Sequence, residues 1–180
     1  FAGGTLGRDV NYLNEISKKM KLNTKLLSSI RISNENHKQW IYNYLKHLIL
    51  NKKIKKASIW GLAYTENTDT LRRSLSLEIS SWLQNYNVKV CVFDKNIKKL
   101  PTELRKTINL LSAPTAAISS IDVLIILGRS KDFLKISPNI LKKMNKKLVI
   151  IDPNNFCSHF EKIYKNKYIY VGKPTLSLFN

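Results

Sequence analysis

Two patterns of hydrophobic and polar positions divide the 180-residue chain, and one gives way to the other near residue 55. In the first part, apolar side chains recur at every third or fourth position, which is the spacing of one face of an α-helix. This spacing predicts a first helix that runs to about Leu22 and a longer helical stretch over residues 24–50. The apolar positions of the first helix are Val10, Leu13, Ile16 and Met20.

The long helical stretch carries an apolar stripe that needs a partner surface. Its members are Leu26, Leu27, Ile30, Trp40, Ile41, Tyr44, Leu45, Leu48 and Ile49. The stripe either packs on its own domain or forms the seam of a homodimer. We favour the homodimer, because the helix precedes the compact domain.

From Lys55 onward, short and almost continuously apolar runs alternate with helical patterns. The runs are "KASIWGLA", "VKVCVFD", "IDVLIILG", "KKLVIIDP" and "YIYVG", and the clearest helix is "TDTLRRSLSLEISSWLQNY". Such strands, separated by helices, predict an α/β fold with a Rossmann-like parallel sheet covered on both faces. The predicted domains are a helical dimerisation segment, 1–52, and a Rossmann-like domain, 53–180.

Sheets of this class bind ligands beyond the carboxyl ends of their strands. Four loops are predicted there: "GLAYTENTDTLRRS", "DKN", "GRSKDF" and "DPNN". In the first loop, a polar residue at 67–69 is expected to cap the next helix, with Arg72 and Arg73 in its first turn. Because cations oppose the helix dipole at that end, the pair indicates an anion such as a phosphate. The alternative is a structural ion pair of Arg72 with Asp69 or Glu78.

A second anion site is suggested by the glycine pair at the beginning of the sequence. Gly3 and Gly4 precede Arg8 and Asp9, after which the first helical pattern begins. The arrangement predicts a loop that leads into a helix N-terminus, where free amides favour an anion. Plain turn geometry is the competing interpretation.

The formal net charge of +19 raises the question of a polyanionic partner. Lysines are scattered in pairs at helix ends and strand starts, and the sequence has no arginine-rich or aromatic-interleaved tract. This distribution favours a solvated basic surface over a docking face for an anionic partner, and either of these over nucleic acid. The sequence therefore predicts no nucleic-acid partner and no membrane partner.

The remaining chemistry-bearing residues indicate no metal and no disulfide framework. The sequence has two cysteines, Cys91 in an apolar run and Cys157 in a later loop, and no zinc-binding spacing. His37 and His159 have no patterned partner and are expected at the surface. Because the chain shows no run of about 18 apolar residues and no signal peptide, we expect a soluble, cytoplasmic protein.

The first loop of the α/β part resembles the motif that opens the C-terminal domain of the UDP-glucose/GDP-mannose dehydrogenase family. That motif, G-L-[AS]-F-K-x-x-T-x-D-x-R-x-S-x-x-x-x-I, is matched at Gly61, Leu62, Thr68, Arg72, Ser74 and Ile79. Three further segments resemble the family in collinear order: "ISNENHKQ", with Asn34 and Glu35, "IDVLIILGRSKDF" and "LVIIDPNN". The initial "FAGGTLGRDV", with Asp9, resembles G-F-x-x-G-G-x-C-[LF]-x-K-D-V.

The resemblance implies an NAD-dependent oxidoreductase of polysaccharide biosynthesis that binds a UDP- or GDP-sugar and forms a homodimer. Gly3, Gly4, Arg8, Thr65 and Arg72 then occupy substrate-binding positions. The family binds NAD mainly through an N-terminal Rossmann domain, and no G-x-G-x-x-G loop occurs in these 180 residues. We therefore expect the chain to be the central-helix and C-terminal portion of a longer enzyme.

Departures from the family pattern affect the expected chemistry. Thr5 and Leu6 occupy the place of the catalytic cysteine, Thr65 that of a phosphate-facing lysine and Asn154 that of an arginine. A thiolate holds the aldehyde intermediate as a covalent adduct, which a threonine hydroxyl without a general base does poorly. Three interpretations follow: a sugar-nucleotide-binding relative with changed chemistry, an unmodified dehydrogenase whose motif is displaced by one residue, or a noncatalytic binding or oligomerisation module.

Overall fold

Six strands after residue 55 form a parallel sheet in the computed structural model, which describes residues 4–51 and 53–173. The strands are β1 (Lys56–Trp60), β2 (Lys89–Phe93), β3 (Ile108–Leu110), β4 (Val123–Ile126), β5 (Val149–Ile151) and β6 (Tyr168–Ile169). Their order across the sheet is β3-β2-β1-β4-β5-β6, and each neighbouring pair is parallel. The predicted Rossmann-like α/β fold is therefore confirmed.

Helices connect most of the successive strands, as a parallel sheet requires. The helices of the described residues are α1 (Gly4–Lys19), α2 (Lys25–Leu50), α3 (Leu75–Asn85), α4 (Thr102–Arg105), α5 (Lys131–Leu134), α6 (Pro138–Met144) and α7 (Glu161–Tyr164). The described residues also include short 3₁₀ helices, one before β4 at Ile118–Ser120 and two between β5 and β6 at Ser158–Phe160 and Lys165–Lys167. Since the strands are parallel, all their carboxyl ends lie along one edge of the sheet and all their amino ends along the opposite edge.

The centre of the sheet is buried and almost entirely apolar, with Ser58 of β1 as a buried polar exception, and its strands therefore read as nearly continuous hydrophobic runs. All of β4 is buried, and so is β1 apart from its first residue, Lys56. Trp60, at the end of β1, stacks on Phe133 with ring centroids 4.9 Å apart. Its indole N–H donates to the carbonyl of Pro114 at 3.0 Å. The tryptophan thus ties the carboxyl end of β1 to two loops while burying its whole surface.

The described residues divide into two compact units, with the boundary between His47 and Leu48. In the first unit, Asn14 connects α1 with α2: its side-chain oxygen accepts from the Ser28 hydroxyl at 3.1 Å. Its side-chain amide donates to the carbonyl of Val10 at 3.0 Å within α1. A domain boundary after residue 52 remains a prediction.

Two sequence expectations about local structure are wrong, and one strand was not predicted. Helix α1 begins at Gly4, so Arg8 and Asp9 lie inside the helix and not before it. Helix α3 begins only at Leu75, after Arg72 and Arg73. Strand β3 was not expected, because its three residues are too few to stand out from the polar sequence around them.

Three further observations concern membrane spans, metal sites and cysteines. Among residues 4–51 and 53–173, no helix combines the length and the apolar character needed to cross a membrane. Over the same ranges, no group of three or more His, Cys, Asp or Glu side chains is placed to hold a metal ion. Both cysteines are free thiols.

Candidate functional site

Two glycines bring the backbones of β1 and β4 into direct contact at the carboxyl edge of the sheet. Gly61 follows β1 with φ +87°, and Gly128 follows β4. A Cβ atom on Gly61 would lie 2.4 Å from both the Cα and the nitrogen of Gly128. No L side chain fits there, and the φ angle itself favours glycine. The close approach shapes the floor of a cleft at the ends of the central strands.

Asp94 fixes the loop that leaves β1. It follows β2, and its Oδ2 accepts hydrogen bonds from the amides of Leu62 at 2.7 Å and Ala63 at 2.8 Å. Its Oδ1 accepts from the amide of Asn96 at 2.9 Å. Charge-assisted bonds of this kind are among the stronger ones in proteins. The carboxylate is therefore committed to holding two loops together.

Two serines hold the other end of the same loop. Ser74 caps α3: its Oγ accepts from the Leu77 amide at 3.3 Å and donates to the Leu62 carbonyl at 2.6 Å. The Ser76 hydroxyl donates to the carbonyl of Gly61. Both serines are buried. The loop from Gly61 to Ser74 is thus fixed at its two ends, while its middle is exposed.

Ser74 also explains why the expected cap is wrong. None of residues 67–69 begins the helix, since Ser74 supplies the capping oxygen. Arg73 has φ +62°, a conformation that cannot continue into a helix. Arg72 and Arg73 are exposed and precede the helix, so the dipole argument made for them does not apply. Neither Asp69 nor Glu78 forms an ion pair with Arg72 among the described residues.

The cleft has a volume of about 220 Å³ and is bounded by three of the four loops expected at this edge. Its lining residues are Gly61, Ala63, Thr65, Glu66, Asn67, Asp94, Lys95, Asn96, Gly128, Arg129, Ser130, Lys131 and Phe133. The fourth loop, which begins at Asp152, is not among them. The cleft is therefore formed at the ends of β1, β2 and β4.

Cations outnumber free carboxylates around this cleft. Lys95, Arg129 and Lys131 line it together with Glu66 and Asp94. The Asp94 carboxylate already accepts three backbone hydrogen bonds. Lys95 forms an ion pair with Asp132 at 3.2 Å. Arg129 and Lys131 are exposed and form no ion pair within the described ranges, so they are available to an anionic ligand.

A buried polar cluster follows β5 beside the cleft-forming strands. Asp152 is fully buried and accepts from the amides of Phe156 at 3.0 Å and Cys157 at 2.7 Å, and from the Tyr168 hydroxyl at 2.7 Å. Burial raises the pKa of Asp152 above its ordinary value, although these three donors act in the opposite direction. Burial, reinforced by the nearby Asp152 charge, raises the pKa of Cys157 to about 12. Cys157 is thus a neutral, buried thiol.

The comparisons with known proteins agree with this geometry. The family model described as "UDP-glucose/GDP-mannose dehydrogenase family, UDP binding domain" matches residues 58–159, which begin within β1, include β2 to β5 and contain the whole cleft. The chain belongs to this family. The resemblance drawn from the sequence motifs is therefore confirmed.

The individual dehydrogenases that match this chain are longer proteins. UDP-glucose 6-dehydrogenase TuaD of Bacillus subtilis is 26% identical over 179 residues, which cover 98% of this chain and 39% of TuaD. UDP-N-acetyl-D-mannosamine dehydrogenase of Campylobacter jejuni is 30% identical over 114 residues, 62% of this chain and 28% of that protein. This chain thus spans about two fifths or less of the curated relatives it matches.

A solved structure extends the likeness to nearly the whole fold. The crystal structure of NDP-N-acetyl-D-galactosaminuronic acid dehydrogenase from Methanosarcina mazei matches 97% of this chain and 39% of that one. The TM-score is 0.74 at 19% sequence identity, so this likeness concerns the fold.

The cleft of this family member does not fit a dinucleotide cofactor such as NAD. In dinucleotide sites, a short glycine-rich turn leads directly from the first strand into the helix whose N-terminus binds the pyrophosphate. Here α3 begins fourteen residues after Gly61. An acidic residue of those sites also binds the ribose, whereas the Asp94 carboxylate is occupied by the amides of Leu62 and Ala63. NAD chemistry is therefore not assigned to this cleft.

The residues predicted for substrate contact are found in both units. Of those in the second unit, Thr65 lines the cleft, whereas Arg72 lies on the same loop without lining it. In the first unit, Arg8 pairs with the neighbouring Asp9 at 3.3 Å on the exposed surface of α1. Gly4 begins that helix, and Gly3 lies outside the described residues.

The positions linked to catalysis also lie in the first unit. Thr5 and Leu6, at the place of the family's cysteine, are exposed in the first turns of α1. Asn34 is buried within α2. His37 is exposed, as expected. His159, in the second unit, is half-buried instead, and its Nε2 lies 3.2 Å from the carbonyl oxygen of Ile136.

Sequence reasoning names the loops of the cleft and expects Gly61, Asp94 and Gly128 at the strand ends there, but it assigns no contacts to Asp94, Arg129 or Lys131. Asp94, Arg129 and Lys131 carry no recognisable motif, so only their positions just after strands could have singled them out. Ser74 was matched to the family motif without its capping role. That role depends on where the helix begins, which the apolar spacing alone does not determine.

Proposed function

We propose that the cleft binds the nucleotide diphosphate part of a UDP- or GDP-sugar. The observation that carries this proposal is the pair of exposed cations, Arg129 and Lys131, beside the Gly61–Gly128 contact. A diphosphate accepts several charge-assisted hydrogen bonds, and arginine can donate two in parallel. The glycine contact lets a ligand approach the backbone without meeting a side chain.

We assign supporting roles to two residues of the loop after β1. Thr65 lines the cleft and carries a hydroxyl where the family has a phosphate-facing lysine. A hydroxyl can donate one hydrogen bond to a phosphate oxygen but adds no charge. In our proposal, Arg129 and Lys131 replace the charge of the missing lysine, and Arg72 approaches the ligand from the exposed middle of the loop. The substrate-binding roles of Gly3, Gly4 and Arg8 stay predictions from the family resemblance.

The activity of the longer protein is a further proposal. We infer that it is a cytoplasmic, NAD-dependent oxidoreductase acting on the sugar of a nucleotide-sugar, because the curated relatives are named dehydrogenases. Because the cleft does not fit a dinucleotide, we infer that the longer protein binds NAD outside residues 48–180. The family's four-electron oxidation of an alcohol to a carboxylate needs a thiol, and Thr5 and Leu6 supply none.

The missing thiol leads to a specific expectation for the complete gene product. It should bind the sugar nucleotide without converting it to a uronic acid. The measurement is NADH production and uronate formation with UDP-glucose and GDP-mannose as substrates. Uronate formed with two NADH per sugar would show that the alignment across Thr5 and Leu6 is wrong.

We also propose that α2 forms a twofold dimer through its amino-terminal half. Ile41, Tyr44, Leu45 and Leu48 are buried within the chain, so this part of the stripe is already covered. Leu26 is 77% exposed and Ile30 36%, which leaves an uncovered apolar face. A second copy of the chain would cover that face in a self-complementary way.

Light scattering of the 180-residue chain at tens of micromolar tests the dimer. The expected mass is twice that of one chain, and Leu26→Asp should reduce it to one chain. Leu50→Asp is the matched control, because Leu50 is an exposed leucine at the other end of the same helix. A monomeric wild type would contradict the proposal.

Nucleotide binding is tested by calorimetric titration and thermal shift with UDP-glucose, GDP-mannose and a free sugar. A ligand at 100 times its dissociation constant stabilises the fold by about 2.7 kcal/mol. Arg129→Ala and Arg72→Ala should each weaken binding by roughly 1 to 3 kcal/mol, the scale of a charged hydrogen-bonded contact.

Arg73→Ala is the control for these variants, because it removes the same charge one residue away from Arg72, at a position where the family motif specifies no residue. It should leave the affinity nearly unchanged. Absence of binding by a chain that still dimerises would favour a noncatalytic oligomerisation module. An equal effect of all three substitutions would show only a general dependence on charge.

A further inference from the structure

The topology of the sheet collects lysines that are scattered along the sequence. Five of the six strands have a lysine at their first residue or within the two residues before it. These residues, which we call the lysine row, are Lys55, Lys56, Lys89, Lys106, Lys147 and Lys167. Since all the strands are parallel, the row lies along the amino edge of the sheet, opposite the cleft.

The row is long and is interrupted at β4, where Asp122 precedes the first residue of the strand. Neighbouring strands are about 4.8 Å apart, so six strands span roughly 24 Å. In the order across the sheet, the row runs from Lys106 through Lys89 and Lys56 to Lys147 and Lys167. Lys53, Arg105, Lys146 and Lys165 lie within three residues of its members and add further positive charge.

Little in the described part of the molecule neutralises this charge. All six lysines of the row are exposed, and none belongs to an ion pair within the described ranges. Asp122, just before β4, is the acidic residue of the edge. Its Oδ2 accepts from the backbone amides of Lys55 at 2.7 Å and Lys56 at 2.9 Å. It therefore holds β1 in place without pairing with a lysine side chain.

The lysine row also lowers the stability of the folded sheet. Lys56 and Lys89 are register partners on adjacent strands, and like charges placed directly opposite each other repel. Lysines at helix ends can be explained by the helix dipole, but Lys56 and Lys89 begin strands. A destabilising arrangement that folding does not require points to a partner that the lysines contact.

We propose that the amino edge of the sheet is a docking surface for a membrane of anionic phospholipid. A lipid surface is attracted by the density of positive charge and needs no bidentate geometry, which suits lysine better than arginine. Lysine is depleted in protein interfaces, which argues against a protein partner. The sequence expectation of a solvated surface without a membrane partner treated the lysines as scattered, and the fold brings them together.

Two partly apolar side chains lie beside the row and suit a lipid interface. Tyr86 is the C-cap residue of α3, three residues before Lys89, and is 39% exposed. Met144 ends α6 three residues before Lys147 and is 37% exposed. Aromatic rings with a polar tip are favoured at membrane interfaces. With the amino edge on the lipid, the cleft at the carboxyl edge would face the solution and remain open to its ligand.

The test is flotation of the 180-residue chain with two kinds of vesicle, one of phosphatidylcholine alone and one containing an equimolar share of phosphatidylglycerol. We expect binding only to the anionic vesicles, and loss of that binding at high salt. A triple variant, Lys56→Gln with Lys89→Gln and Lys147→Gln, should bind about a hundredfold more weakly, because each lysine near such a surface contributes about fivefold.

The control is a second triple variant with the same net charge, Lys98→Gln with Lys99→Gln and Lys135→Gln. These three lysines are exposed and lie outside the row. The control should keep most of the binding, and circular dichroism should show the same fold for both variants. Equal losses in the two variants would overturn the proposal, as would no binding to anionic vesicles. Tighter binding to duplex DNA than to vesicles would overturn it in favour of nucleic acid.

Discussion

The two edges of the sheet are built from the same strands but in opposite ways. At the carboxyl edge, Gly61 and Gly128 touch, and Asp94 and Ser74 tie the surrounding loop with short hydrogen bonds. At the amino edge, lysines begin the strands and their side chains make few contacts with the rest of the described structure. The carboxyl edge is thus defined by geometry, and the amino edge by charge.

This difference indicates at which edge a substitution should affect stability and ligand binding most. A packed, hydrogen-bonded edge holds its loops in one arrangement, so it can position a ligand, and small changes there are costly. An edge of exposed lysines tolerates change, because each side chain is solvated and its charge acts over a distance. The following predictions test the contrast, beginning with the largest expected effect.

The strongest test of the carboxyl edge is Gly61→Ala. The added Cβ would meet backbone atoms of Gly128 at 2.4 Å, and the residue would keep an unfavourable positive φ. Strain and overpacking together should lower the free energy of unfolding by about 2 to 6 kcal/mol, measured by urea denaturation. Gly172→Ala is the control, because Gly172 also has positive φ but no atom within 4 Å of the added Cβ. If the two substitutions cost the same, the Gly61–Gly128 contact does not matter.

A second test concerns the buried carboxylate after β5. Tyr168→Phe removes the hydroxyl that donates to Asp152 at 2.7 Å. It should lower the free energy of unfolding at neutral pH by about 1.5 to 3 kcal/mol, the scale of a hydrogen bond to a charged group. Tyr164→Phe is the control, since that hydroxyl makes only a 3.4 Å contact with the carbonyl of Asn145. A similar cost for both substitutions would argue against the role of the charge.

The same variant has a pH signature. Burial raises the pKa of Asp152 in the folded state, so protonation of this group favours folding. Its contribution to stability therefore falls as the pH rises from its unfolded to its folded pKa. Because the Tyr168 hydroxyl stabilises the charged form, the cost of Tyr168→Phe should be largest above the folded pKa of Asp152 and shrink below it. A cost that does not vary with pH would contradict this assignment.

The smallest effect is expected at the amino edge. Lys89→Glu replaces the repulsion between Lys56 and Lys89 with an attraction. It should raise the free energy of unfolding by about 0.2 to 1 kcal/mol at low salt, and the gain should fade at high salt. Lys98→Glu, which has no register partner in the sheet, serves as the control. A destabilised Lys89→Glu would show that this edge also depends on specific contacts.

The fold could be predicted from the sequence largely because the central strands are buried on both faces. Runs such as those of β1 and β4 are apolar at nearly every buried position, with Ser58 of β1 as an exception, and this leaves a strong signal. Strand β3 has three residues, of which only Ile108 is buried, so its signal is too weak to separate from the loops around it. The long helix α2 was expected at nearly its observed bounds, because a 26-residue stripe repeats the helical period many times.

Local boundaries and the details of the site were harder to predict. The start of α3 depends on Ser74, whose oxygen serves as a cap only once Leu62 lies opposite it. Asp94 contacts residues 31 and 32 positions away in the sequence. The lysine row depends on which strand lies next to which. Such features depend on tertiary contacts that the sequence pattern does not contain.

The central claim is that the carboxyl-edge cleft binds a sugar nucleotide, and amide chemical shifts test it most directly. The 180-residue chain, labelled with nitrogen-15, would be titrated with UDP-glucose and with GDP-mannose. The account predicts that one of the two ligands shifts the amides of Leu62, Ala63 and Arg129, while those of Lys89 and Lys147 at the opposite edge stay in place. Shifts at the amino edge alone, or none with either ligand at saturating concentration, would contradict it.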